Sequence, residues 1–233
     1  MGNNRKKKDV DAVLSFLYLF LGFSYLCLFI WGIFLARKSG LLQLTHLLLL
    51  VIIGLIYDNL IIAIGKFIGE GNVLERLSYV RFLLHALFTP TLILFAFGIC
   101  KRLGLPWSKK NIWKIVFSLT TLGLILYELL ASVSGLELEP NWEDGILTYT
   151  SNGHSDSPIM VIIVTVILGI IGFILTRKFH FPWLLLGTII MISGGILTIW
   201  IKNSSIMNLL ELLLMIALLI TWQFQVKYQK RQN

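Results

Sequence analysis

Charge is scarce in this chain: 14% of its 233 residues are Asp, Glu, Lys or Arg, against 57% hydrophobic ones. Soluble domains carry roughly a quarter charged residues, and here the apolar residues also come in blocks, so a soluble fold is excluded. Cysteine is scarce too. Cys27 and Cys100 each lie alone within an apolar run, which implies neither a disulfide framework nor a metal cage. No linker rich in Pro, Gly or Ser and no low-complexity tract interrupts the chain, so one compact bundle is expected. An internal repeat of two matched halves is missing, and with it the inverted-repeat pattern of many transporters. The first apolar run follows Arg5-Lys6-Lys7-Lys8 but lacks a small-residue cleavage pattern, which favours a retained helix over a signal peptide. Gly2 is not followed by the hydroxyl residue of a myristoylation site.

The apolar blocks themselves predict an all-α, polytopic membrane protein. Seven helices are expected at about 12–36, 41–65, 78–100, 113–133, 158–176, 181–201 and 205–226, most of them near the roughly 20 residues that cross a bilayer. Pro90, in Thr89-Pro90-Thr91, should kink the third helix and free a carbonyl. The longest connection, 134–157, is rich in Ser, Gly, Asn and acidic residues. It reads as a plain exposed loop, with a lid as the alternative.

The net charge of +8 does not point to nucleic acid, because the basic residues cluster at helix ends. Arg37, Lys38, Lys101, Arg102, Lys109, Lys110, Lys114, Arg177, Lys178, Lys227, Lys230 and Arg231 all fall at one face. The opposite face has the acidic connection with Glu137, Glu139, Glu143, Asp144 and Asp156. The positive-inside rule then puts the carboxyl terminus in the cytoplasm and the amino terminus outside, against the basic cluster at residues 5–8. The implied surroundings are membrane lipids, and the chain does not fix an oligomeric state.

Ionisable residues inside the apolar segments share one depth. Asp58, Arg81, His85, Glu128 and Glu211 lie about five to eight residues from one membrane face, a layer about 10 Å deep at roughly 1.5 Å per residue. Such groups cost several kcal/mol in hydrocarbon unless paired or hydrated, so they mark a site. Ser78, Arg81, His85 and Thr89 recur at helical spacing and must face the bundle interior or a hydrated cavity. Arg81 can also snorkel to the headgroups, and His85 can be a core ring with a hydrogen bond. Asp58 stands in Tyr57-Asp58-Asn59 between apolar stretches. Dry, it resists ionisation and can donate a proton; paired with Arg81, it becomes structural. Glu211 follows Asn208 by one turn. Glu128, after Tyr127, reads equally as a wet helix end. His46 and His180 are expected to be uninvolved.

Several chemistries lack their residues. The seventh helix has no lysine before Lys227 to hold a retinal, and no Pro-Ser-Gly-His accompanies Arg81 and His85 as in phosphatidic-acid phosphatases. Only His85 and the loop residue His154 could join the acids around a zinc ion, so no metal site is assigned and no cofactor is implied. Serine-hydrolase elbows and phosphate-binding glycine loops are absent.

With Asp58 on helix two and Glu211 on helix seven, the chain resembles the small seven-helix integral-membrane terpene cyclases of fungal meroterpenoid and indole-diterpene pathways. The likeness covers architecture and two acid positions. The family's helix-two acid is usually a Glu after an aromatic residue, where this chain has Asp58 after Tyr57. The resemblance implies a membrane-embedded cyclase of isoprenoid substrates with catalytic Asp58 and Glu211. His85 joins them as a catalytic candidate, with Tyr57, Asn59, Arg81, Glu128 and Asn208 as substrate-binding ones, and Tyr18, Tyr25, Tyr57 and Phe88 as possible carbocation walls. Two other readings stay open: a lipid or polyprenyl phosphate hydrolase or transferase using Arg81, His85 and Lys66 or Lys202, and a proton-coupled transporter or sensor.

Overall fold

The computed structural model describes residues 2–40, 43–143, 145–151, 159–201 and 204–232, and the side chains of these except 2–14, 198–201 and 204–205. His154, Asp156, Asp144 and Lys202, named above as candidates or loop charges, lie outside the described residues. Among the described residues, eight α-helices form a bundle: α1 (Gly2–Ser39), α2 (Leu47–Ile68), α3 (Asn72–Phe88), α4 (Thr91–Arg102), α5 (Asn111–Glu128), α6 (Ile159–Phe179), α7 (Trp183–Ile201) and α8 (Ser204–Lys230). α3 and α4 are the two halves of one predicted helix. Pro90 has no N–H to give to the Ala86 carbonyl, and the chain turns through Thr89 and Pro90 before the ladder resumes. With those halves joined, six helical segments are long and apolar enough to cross a membrane; the apolar stretch Trp183–Leu197 of α7 is shorter.

The predicted boundaries differ from the observed ones in both directions. α3 begins at Asn72, six residues before its expected start at 78, because a polar first turn follows the Gly69–Gly71 reversal. α2 begins at Leu47, after a short 3-10 turn over Leu44–His46, rather than at 41. α5 runs on from Glu128 into a π-helical turn, Leu129–Val133, closed by Ser134 N–H donating to the Leu129 carbonyl at 2.8 Å.

The core lies between α1, α2, α4, α6 and α8. Tyr25, Ile52, Phe95, Leu168 and Trp222 are among its fully buried members. α5 is peripheral, with only Thr121, Leu124 and Glu128 buried along its α-helical length. At the carboxyl-terminal end a hydrogen-bonded clamp ties three helices. Arg102 of α4 donates to Gln229 Oε1 of α8 through Nε (3.1 Å) and Nη2 (2.7 Å), and through Nη2 to the Ser39 carbonyl of α1 (3.2 Å). Gln229 Nε2 returns a bond to the Arg102 carbonyl, and Trp222 Nε1 donates to Ser39 Oγ. Arg102 is therefore a structural cation, not one of the headgroup-facing charges expected from the sequence. His46 is part of this end as well, its ring 5.7 Å from that of Trp222.

The connection at 134–157 is not a plain exposed loop. It holds an antiparallel hairpin, β1 (Leu138–Glu143) and β2 (Ile146–Ser151), paired from Leu138↔Ser151 to Glu143↔Ile146. β2 buries Leu147 and Tyr149 in a small cluster with Ile61 of α2 and Leu74 of α3, while Ile146 joins the main core. Gly65 makes this docking possible: a Cβ there would collide with the Leu147 carbonyl oxygen. Tyr149 accepts a hydrogen bond from Gly71 N–H at 2.9 Å, and Trp142 Nε1 donates to Glu70 at 2.5 Å.

Candidate functional site

The tight Gly69–Gly71 turn lays α3 antiparallel to α2, with φ of +82° at Gly69 and +142° at Gly71, values that favour glycine. Asp58 and Arg81, within one residue of the same distance from that turn in opposite directions, therefore meet. Arg81 Nε–H donates to Asp58 Oδ1 at 2.7 Å, the only ion pair among the described residues. The two side chains are 27% and 14% exposed. Arg81 thus neither snorkels to the headgroups nor leaves Asp58 as a free acid. No other hydrogen bond to the described residues engages its guanidinium, so its terminal nitrogens remain available.

Other ionisable groups gather around this pair. His85, one turn beyond Arg81, interacts electrostatically with Asp58, Glu128 and Arg81. His85 is itself exposed, with Nδ1 3.3 Å from Thr89 Oγ1. Glu211 of α8 is within electrostatic reach of Asp58 and Tyr25 and is half-buried. The Tyr25 hydroxyl on α1 donates to the Asn208 carbonyl at 3.3 Å, bracing α1 against α8 beside Glu211. Three carboxyl groups and one guanidinium, with an imidazole, thus face a common layer.

Some expected partners do not serve Asp58. Tyr57 donates its hydroxyl to the Leu77 carbonyl at 3.1 Å, and Asn59 bonds back to its own helix at the Leu55 carbonyl, 2.9 Å away. Asn59 is fully buried toward α1 beside Gly22, about 100° around the helix from Asp58. Neither residue orients the acid. Glu128 differs from the wet helix end expected as one alternative. It is 6% exposed, accepts from Ser132 Oγ at 2.8 Å, and leaves Oε2 without a hydrogen-bond partner. Ser132 follows Glu128 by four positions, the spacing that puts two side chains on one helical face. Ser78 is also fully buried, its hydroxyl unpartnered.

The hairpin contributes residues that the sequence reading did not single out. Leu147 and Tyr149 pack near Tyr57 and Leu77, one turn from Asp58 and Arg81, so the strand covers the layer on the side of the α2–α3 turn. Alternation at Leu147-Thr148-Tyr149 after an Asp-Gly pair was the available signal. Among the described residues, no group of three His, Cys, Asp or Glu is placed to hold a metal ion.

The chain stands apart from known proteins in all three comparisons: no protein-family model matches it, and no curated protein and no solved structure does.

Proposed function

We propose a multi-pass membrane protein whose seven apolar segments cross the bilayer, with the carboxyl terminus in the cytoplasm. The polar layer is its active centre, acting on an isoprenoid or other lipid substrate. Protonation-initiated terpene cyclisation is the most specific form of this reading. One observation carries it: Asp58, Arg81, His85, Glu128 and Glu211 come from four helices yet act on one another electrostatically or by direct bonding. Charged groups in hydrocarbon are expensive, and five that converge beneath a cover answer to a chemical task better than to packing.

The roles follow from the pairing. Asp58 is tied to Arg81, whereas Glu211 has no cationic partner among the described residues. The proton donor is therefore Glu211, which passes its proton to a double bond or epoxide of the substrate and becomes a carboxylate. The cation formed on the substrate is met by the carboxylates of Asp58 and Glu128. His85 takes the proton released when the final double bond forms.

Purified protein incubated with linear prenyl epoxides and prenyl alcohols should yield cyclic isomers detectable by mass spectrometry. Glu211→Gln should reduce turnover about a hundredfold or more while leaving the unfolding temperature unchanged. Undiminished cyclisation by that variant removes the acid role. The free terminal nitrogens of Arg81 favour a second reading, in which they hold a lipid phosphate for hydrolysis or transfer. Release of inorganic phosphate from a polyprenyl phosphate, without cyclic product, would select it.

A further inference from the structure

Away from the polar layer, α5 stands off from α6 and leaves a side cleft of about 480 Å³ between α4, α5 and α6. Trp107, Trp113, Phe117, Ile167, Ile171 and Ile174 form most of its lining, and Thr120 is the one polar residue among those lining it. The aromatic side is fixed by mutual packing: Trp107 and Trp113 meet edge to face at 5.5 Å, and Phe117 stacks on Phe97 at 4.9 Å.

Both apolar walls end in cations. On α5, Lys110 and Lys114 stand three positions before Trp113 and Phe117, so they continue the same face toward the end of the bundle. On α6, Arg177 and Lys178 follow Ile174 by three and four positions and continue that wall in the same direction. All four are exposed, and none has an ion-pair partner among the described residues. Sequence explains why: no Asp or Glu occurs between Glu75 and Glu128, or between Asp156 and Glu211. A cleft whose sides are hydrocarbon and whose mouth is positive on both sides matches an amphiphile with the opposite polarity.

We infer that this cleft is a binding site for one anionic phospholipid, its acyl chain between α5 and α6 and its phosphate between Lys110, Lys114, Arg177 and Lys178. The cleft volume suits a single elongated ligand. A second copy docking here through two-fold symmetry would bring the same cations face to face. The inference rests on the transmembrane reading above and is independent of the catalytic one.

Tryptophan emission supplies the test, since Trp107 and Trp113 line the cleft. Protein in phosphatidylcholine vesicles would receive a minor fraction of brominated-chain phosphatidylglycerol or brominated-chain phosphatidylcholine. The emission lost in a Trp107→Phe/Trp113→Phe variant isolates the cleft component. Phosphatidylglycerol should quench that component at least roughly fivefold more effectively, as expected for several basic side chains at the headgroup level. Lys110→Gln/Lys114→Gln/Arg177→Gln/Lys178→Gln should erase the preference, and Ile170→Phe/Ile174→Phe should lower quenching by both lipids. Equal quenching by the two lipids in the unaltered protein overturns the site. A preference that survives filling the cleft also overturns it, because the cations then only enrich the surrounding lipid. Protein that alkaline carbonate strips from the vesicles would instead remove the transmembrane reading.

Discussion

The two ends of the bundle each hold a half-buried arginine, and they treat it differently. Arg102 meets neutral acceptors, Gln229 Oε1 and the Ser39 carbonyl, through three hydrogen bonds of 2.7 to 3.2 Å. Arg81 meets a carboxylate through one bond and stands among further ionisable groups, with Glu128 Oε2 left unpartnered. The first arrangement locks α1, α4 and α8 and offers no carboxyl or imidazole in direct contact with the cation. The second leaves protons and charge free to move. An imidazole lies within electrostatic reach of each cation, His46 of Arg102 and His85 of Arg81; what separates a clamp from a candidate active centre is the carboxylates gathered around the second.

The largest expected effect comes from breaking the ion pair. Arg81→Met leaves the half-buried Asp58 without its cation and should destabilise the protein by about 3 kcal/mol. Asp58→Asn with Arg81→Gln together should cost much less than the sum of the single changes. Thermal unfolding in detergent measures both, and additive losses would mean that the pair is not coupled.

At the other end, Gln229→Ala removes the acceptor of two charged donor bonds and should cost about 2 kcal/mol. Product formation per folded molecule should stay at the unaltered level. If turnover in Gln229→Ala drops as far as in Arg81→Met, the distinction between clamp and active centre collapses.

A smaller effect sharpens the comparison at the hairpin. Gly65→Ala puts a methyl group against the Leu147 carbonyl oxygen and should force the strand outward at a cost of about 1 kcal/mol. Proteolysis between β1 and β2 should become faster while the helices remain intact. An unchanged cleavage rate would show that the strand adjusts without leaving the polar layer uncovered.

The apolar segments were legible from sequence because a run of hydrophobic residues around 20 long has few other destinations. The kink was legible too, since proline withdraws one donor wherever it stands in a helix. Leu147 and Tyr149 were missed for a local reason: the surrounding Ser, Gly, Asn and acidic residues hide a strand whose alternation spans only a few positions. Glu128 was ambiguous because its position near the end of a helix does not say which neighbouring segments cover it. Arg102 resembled the exposed lysines around it, and nothing in its neighbourhood names Gln229, which lies 127 positions away.

Sequence alone determined where along its apolar segment each ionisable residue lies and the uneven division of charge between the segment ends, because position along a helix follows from helical rise acting on each segment separately. Tertiary structure decided the pairing of Arg81 with Asp58, the enclosure of Glu128 and Glu211, and the cover over them. Those outcomes depend on helix rotation and on which segments become neighbours, which no single stretch of the chain encodes.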